Sequence, residues 1–355
     1  MVTRALALSV LSALAGCKPA EADQRFEKGA TPATATFASG VTLWASPARV
    51  RVDGALTVVR AAAPVLDIDL VASAPTQVSF AVDNVMTASR IDPTPDSLRV
   101  IDATEVELGF NLEPGTTRVH LSPGGSGPAR FAVISDVHNN LATFGEFTAA
   151  VRQWRPDMVL CMGDLTQSGQ SGQFDELFGM LRDAGVPFYT TLGNHELMGA
   201  AVDRYEEKVG PSSVAFLLRG VQVIFVDSSG SVVAPEAYAW LAQQLSGRPK
   251  GSPALVLTHI PPLEPWGTRD HAFSVRDDAE HFLQVLADHQ ATHLFVGHVH
   301  SYAEYTLRGI PVTLSGGGGG PIETDGGVGH HWLKVEVDPV AGVPVTVTRV
   351  DLSAE

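Results

Sequence analysis

Six short apolar runs in this chain each end in residues that can carry protons or metals: FAVISDVH (Asp136, His138), MVLCMGD (Asp164), FYTTLGNHE (Asn194, His195), VQVIFVD (Asp227), ALVLTH (His259) and HLFVGHVH (His298, His300). Runs of this length read as buried strands. Between them the apolar period changes. Leu141, Phe144, Phe147, Val151 and Trp154 recur at spacings of three and four and predict a helix over 141–154 with one buried stripe. Further helices are predicted near 174–184, 238–245 and 279–289. Alternating strands and helices fold into a largely parallel sheet, and such a sheet collects ligands at the carboxyl ends of its strands. The later runs YTLRG, PVTLS, LKVEV and PVTVTRV have no helix between them, so this end of the sheet is expected to be antiparallel.

The residues before this region follow another pattern. Over 33–124 the runs VTLWA, ARVRV, LTVVRA, LDIDLV, TQVSFAV, LRVID, VELGFNL and TRVHL alternate polar and apolar residues, with turn pairs such as Asp53-Gly54 and Pro114-Gly115 between them. This predicts a smaller all-β sandwich that packs against or spaces the second domain, or lends it a loop at their interface. Residues 18–32, rich in Ala, Pro, Glu and Lys, read as a tether. Residues 1–17 read as an export signal, because Arg4 precedes an apolar stretch, Ala5 to Ala15, too short to remain as a membrane span. The closing Leu14-Ala15-Gly16-Cys17 resembles the bacterial lipobox, so Cys17 is expected to carry lipid and to hold an exported chain on the cell envelope, at the periplasmic face or the cell surface. With Cys17 committed, Cys161 has no disulfide partner and reads as a small buried hydrophobe.

A net charge of −15 across 355 residues argues against wrapping a nucleic acid backbone, which calls for clustered Lys and Arg. The ligand-type residues point instead to metal. Asp136 and His138, like His298 and His300, are separated by one residue and so face one way on an extended segment. Carboxylate, imidazole and amide without thiolate suit borderline divalent ions: Mn, Fe, Zn or Co. A lone Asp or His after a strand is usually a cap or a satisfied polar residue, and Asp227, which lacks a motif partner, keeps that role. His120, His271, His281, His289 and His293 are taken as structural or exposed, and His330 and His331 stay undecided beside the run of glycines after Ser315.

Taken together, Asp136-x-His138, Gly163-Asp164, Gly193-Asn194-His195-Glu196, His259 and Gly297-His298-x-His300 resemble the calcineurin-like metallophosphoesterase superfamily, over roughly 130–336 and in family order. The resemblance implies an α/β fold, a four-layer α-β-β-α sandwich over 129–355. By the family's pattern Asp136, His138, Asp164 and His300 hold one metal, and Asp164, Asn194, His259 and His298 the other. His195 is implied as the group that stabilises the transition state or protonates the leaving oxygen, with a carboxylate expected to orient it. Two such ions generate a hydroxide near neutral pH and neutralise phosphoryl oxygens. The expected activity is hydrolysis of a small phosphate ester, a monoester being favoured. A phosphodiesterase acting on cyclic nucleotides or phospholipids, or a surface binding protein with a vestigial metal site, is the alternative. Purple acid phosphatases place a Tyr three residues after the bridging Asp, and many cyclic-nucleotide phosphodiesterases an Asp. Here that position is Gln167, so neither subgroup is matched. In the loop after His259, Trp266 and Arg269 are candidates for holding a base and a phosphate, with Trp266 equally able to pin the loop.

Overall fold

A computed structural model describes residues 18–54, 56–266, 271–323, 328–340 and 345–353. Cys17 with the rest of the expected signal, and Arg269, lie outside them. The described chain opens with α1 (Lys18–Ala30) and ten strands: β1 (Ala33–Thr36), β2 (Thr42–Ser46), β3 (Ala48–Asp53), β4 (Leu56–Ala61), β5 (Leu66–Ala72), β6 (Thr76–Asp83), β7 (Arg90–Asp92), β8 (Ser97–Val100), β9 (Glu105–Leu112) and β10 (Gly115–Ser122). They form two five-stranded sheets, in the orders β1-β2-β5-β10-β7 and β3-β4-β6-β9-β8. The alternation in the sequence explains the packing. In β5 every second residue, Leu66, Ile68, Leu70 and Ala72, is buried, and these meet Val59, Phe80, Leu108 and Phe110 of the facing sheet.

The remaining elements are β11 (Ala129–Ile134), α2 (Leu141–Trp154), β12 (Met158–Cys161), α3 (Ser171–Ala184), β13 (Phe188–Thr190), a 3-10 turn (Asn194–Leu197), α4 (Ala201–Lys208), β14 (Val214–Leu218), β15 (Val221–Phe225), α5 (Pro235–Gly247), β16 (Ala254–Thr258), α6 (Arg276–Asp288), β17 (His293–Val296), β18 (Tyr302–Leu307), β19 (Ile310–Ser315), β20 (His331–Val337) and β21 (Val345–Asp351). They build two more sheets, β13-β12-β11-β20-β21 and β14-β15-β16-β17-β19-β18. Their inner strands are buried on both faces. Phe131 and Val133 of β11 point between the sheets at Phe225, Leu257 and Phe295, while Ala132 and Ile134 point out at Phe144 and Phe147 of α2. On the other side Leu241 and Leu245 of α5 and Phe282 and Leu286 of α6 cover the second sheet. The order of layers is helix, sheet, sheet, helix. Each buried Phe or Leu contributes roughly 1.5–3 kcal/mol, and truncating one between the sheets, such as Phe225→Ala, is expected to cost about 3–5 kcal/mol.

The late strands do not extend one sheet, as their lack of helices suggested. β18 and β19 edge the second sheet, with β19 parallel to β17, while β20 and β21 return to edge the first. The expected tether is also corrected: residues 18–30 are a helix docked on α5. Ala22 and Phe26 lie four apart on one face, Ala22 buried and Phe26 edge-on to Trp240 at 5.6 Å. Pro19 falls in the first turn, where its missing N–H costs nothing. Composition alone masked this short stripe. α4 and β14 also lacked a sequence reading.

Candidate metal centre

The site forms where β11, β12, β13, β16 and β17 end side by side. The loops after β11 and β12 zip together through their backbones: Asp136 N–H donates to the Gly163 carbonyl at 3.1 Å and His138 N–H to the Asp164 carbonyl at 3.1 Å. This turns both chains sharply, and Asp136, His138, Asp164 and His298 take left-handed φ of 60°, 50°, 50° and 67°. Such conformations are uncommon for residues with a Cβ, and a cluster of them is characteristic of functional sites. Glycines give the room. A Cβ at Gly193 would collide with the Asp164 carboxylate, and one at Gly320 with the His138 and His300 rings. The run after Ser315, opaque in sequence, is therefore a close-packed wall behind the site.

All eight residues singled out from the sequence come together. Potential ligand atoms of Asp136, His138 and His300, of His138, Asp164 and His195, and of Asp164, His259 and His298 form three overlapping groups, each within 4.8 Å. His138 Nε2 is 3.4 Å and His259 Nε2 3.3 Å from Asp164 Oδ2, while Asn194 Oδ1 is 3.0 Å from His259 Nε2. Asp227 stays outside, its carboxylate bound by Arg25 Nε at 2.8 Å and by Ser229 N–H at 2.9 Å.

Four of the five histidines, all but His298, share one orientation. Each turns Nδ1 to an acceptor outside the cluster: His138 to Gln167 Oε1 at 3.2 Å, His195 to the Gln167 carbonyl at 2.8 Å, His259 to the Met162 carbonyl at 2.9 Å and His300 to the Pro321 carbonyl at 2.8 Å. Nδ1 is then the protonated nitrogen and Nε2 keeps its lone pair for the centre, as metal-ligating histidines require. His195 is oriented by a backbone carbonyl, not by the carboxylate expected from sequence. Gln167, noted there only as a departure from known patterns, holds two rings at once.

Charge on the ligands favours cations. Burial pulls the His138 ring down, but Asp136 and Asp164 outweigh it and push it up to about 10; Asp164 likewise pushes buried His259 up to about 9. Burial pushes Asp136 up, yet the neighbouring rings of His138 and His300 hold it well below the usual carboxylate range. His298 is held down at about 4 by burial and then by His259, so its ring is neutral at pH 7. A field that holds protons on these rings also holds a divalent ion between them, and metal binding trades one for the other. Asp136 Oδ1 supplies the fit. It is buried without a hydrogen-bond partner, 3.4 Å from His300 Nε2, while Oδ2 accepts from His298 N–H. An orphaned carboxylate oxygen aimed into a ring of imidazoles is a metal ligand in waiting.

Three further residues frame the site. Glu196 is fully buried and accepts from the backbone N–H groups of Asp164, Thr166 and Gly193, tying the loops after β12 and β13; burial, then the charge of Asp164, pushes it up to about 7. It stands in the Gly-Asn-His-Glu block, but nothing local marked it as a brace. His271, left outside the site by sequence, has its ring tilted against that of His298 with centroids 5.5 Å apart and its Nδ1 3.8 Å from Glu323 Oε1. Of the undecided pair, His331 is buried in β20 and His330 bonds the Gly320 carbonyl. Cys161 donates to the Gly163 carbonyl and burial pushes its thiol far up, so it is no ligand. Trp266 is half-buried and packs against the core that α5 and α6 cover.

Residues 129–302 match the calcineurin-like phosphoesterase family. The chain is 29% identical over 169 residues to a probable cyclic nucleotide phosphodiesterase of Synechococcus, an alignment covering 45% of this chain and 62% of that one. It is 26% identical over 212 residues to a cAMP/cGMP dual specificity phosphodiesterase of Mycobacterium tuberculosis, covering 52% and 65%. It thus spans less than two thirds of either relative's length. Among solved structures, a purple acid phosphatase from yellow lupin (Lupinus luteus) superposes with a TM-score of 0.53 at 13% identity, over 81% of this chain and 70% of that one, a likeness of fold.

Proposed function

Since this chain carries a calcineurin-like phosphoesterase domain, we propose that it is a two-metal hydrolase of phosphate esters. The observation that carries the reading is the common turn of His138, His259 and His300, Nδ1 outward and Nε2 inward around Asp164 and the orphaned oxygen of Asp136. Asp136, His138, Asp164 and His300 would hold one ion, and Asp164, Asn194, His259 and His298 the other. Bound there, two divalent ions supply a water of lowered pKa and neutralise the phosphoryl oxygens. His195 is 23% exposed, with Nδ1 fixed by Gln167 and Nε2 3.9 Å from Asp164 Oδ2. When the ring is protonated, Nε2 carries the proton that can pass to the leaving oxygen.

A phosphodiester is the substrate we favour, in place of the monoester favoured from sequence alone. The relatives above, named for cyclic nucleotides, support the change. The same reading keeps the chain exported and lipid-anchored at Cys17, which mass spectrometry of the native N-terminus would test. Turnover of the Mn-loaded protein on bis(p-nitrophenyl) phosphate, 3′,5′-cyclic AMP and p-nitrophenyl phosphate tests the activity. Full activity after metal removal overturns the two-metal reading, no turnover of any of the three overturns the hydrolase reading, and faster turnover of the monoester overturns the choice of diester.

A further inference from the structure

A cavity of about 340 Å³ lies away from the metal centre, between the β3-β4-β6 face of the sandwich and helices α3 and α4. None of the eight site residues lines it. We propose that it binds a small phosphorylated molecule, gripped by Arg49, Arg51 and Arg60.

Strand register assembles the grip. On the outer face of the sheet Arg49 stands directly opposite Arg60, Arg51 opposite Val58, and Arg60 opposite Asp83. Like charges at directly opposed positions destabilise a sheet, yet this protein of net charge −15 places three guanidiniums around one such pair. The lining carries five basic residues and three acidic ones, a surplus of two positive charges. Carboxylates answer only some of them. Arg60 pairs with Asp83 at 2.6 Å, Lys208 with Asp175 at 2.5 Å, and Arg182 lies 3.6 Å from both Asp102 and Glu105. Among the described residues Arg49 and Arg51 have no carboxylate within ion-pair distance, and the acidic group left on the lining is Glu207. Arg60 adds an independent sign: its Nε is buried with no hydrogen-bond partner although Nη1 is engaged. A buried donor without an acceptor is costly unless a ligand supplies one.

The shape of the ligand follows from the walls. A carboxylate is planar and is served by one guanidinium fork, whereas a tetrahedral phosphate offers oxygens to several forks at once, as converging arginines require. The opposite wall is apolar: Phe178, with the Arg60 guanidinium 4.8 Å above its ring, and Phe188 and Val186 beside it. The volume lies at the lower end of the range for small-molecule sites, enough for a phosphate on a compact organic body, and domain interfaces are favoured places for them.

Titration calorimetry on the full metal-loaded chain with inorganic phosphate, AMP and citrate tests this, comparing wild type with Arg49→Ala/Arg51→Ala. Any binding at the metal centre is common to both proteins. One further binding event for phosphate and AMP is expected in wild type, weakened about 100-fold in the double variant, roughly tenfold for each charge-assisted contact. Arg49→Lys/Arg51→Lys, keeping charge but not the planar fork, should lie between. Since both arginines are exposed and unpaired, and Arg49 faces a like charge, their loss should not lower the melting temperature and should leave ester turnover unchanged. Identical isotherms for wild type and the alanine variant would overturn the site, and citrate binding as tightly as phosphate would overturn the phosphate chemistry.

Discussion

Arg25→Ala tests how the first helix is tied to the catalytic layers. Arg25 reaches from α1 to Asp227, two residues past β15, and both side chains are nearly buried, 10% and 8% exposed, with Nε 2.8 Å from Oδ2. The loop that follows is coupled to the candidate metal centre, because Ser228 Oγ accepts from Ile260 N–H beside His259. Removing one partner of a buried pair costs about 3–5 kcal/mol by leaving the other charge uncompensated. Here Ser212 Oγ, Ser229 Oγ and Ser229 N–H still bond the carboxylate, so the expected loss is at the lower end, about 3 kcal/mol. The pH dependence is diagnostic. In the native protein burial pushes the Asp227 carboxyl up but Arg25 and then Ser229 outweigh it, so its folded value lies below the unfolded one. Its contribution is then complete above about pH 4 and is lost as pH falls through the folded value. Without Arg25 burial prevails, the carboxyl rises above its unfolded value, and the deficit should be largest near pH 8 and shrink as pH falls toward 5. Urea unfolding followed by tryptophan fluorescence, with hydrogen exchange of the α1 amides as the local readout, measures both. Asp227→Asn added to Arg25→Ala should recover part of the loss. A deficit below about 1 kcal/mol, or one constant between pH 8 and 5, would refute the argument.

Asp164→Ala should abolish turnover and lower metal content by at least one ion per chain in elemental analysis, because its Oδ2 lies within 3.4 Å of both His138 and His259 Nε2; unchanged metal content would remove it from the bridging position. His195→Ala at equal metal content should slow esters with poor leaving groups by roughly 10²–10⁴-fold and acidic phenyl esters much less; equal losses on both would leave His195 an electrostatic group. Gln167→Ala removes the side-chain acceptor of His138 Nδ1 while keeping the carbonyl that holds His195, so metal affinity should fall about 10–100-fold, with normal affinity the refuting result. His293 is pushed down to about 4 by burial, with Nε2 2.8 Å from Thr313 Oγ1. A histidine depressed on folding destabilises the fold as pH falls from about 6.5 toward 4, here by about 3 kcal/mol in all. His293→Gln should flatten that part of the stability profile in denaturant titrations at a series of pH values.

The residues that cluster at the candidate site were legible because their signals are local. A buried strand announces itself by an apolar run, and the polar residue ending it falls at the sheet's carboxyl edge whatever the rest of the chain does; Asp136, Asp164, His259 and His298 were all visible this way. Helix α2 was equally plain from its stripe. The sequence by itself therefore determined the strand–helix alternation, the β-rich first part and the donor set without thiolate. Which residues brace those donors depended on contacts across long stretches of chain. Glu196 under the loops of Asp164, the two-handed grip of Gln167, His271 beside His298 and the glycine wall behind His138 are set by how strand ends and loops abut, and no periodicity encodes that. The same holds at the start of the chain, where a polar composition concealed α1, since Ala22, Phe26 and Arg25 dock it on α5 and Asp227, and Lys28 on Glu206, only once those distant partners are in place. Local hydrophobic pattern decides which elements form and where their ends lie. Tertiary packing alone decides which buried charge meets which partner, because a desolvated ionic group is tolerated only where distant elements bring a counter-charge or a donor to it.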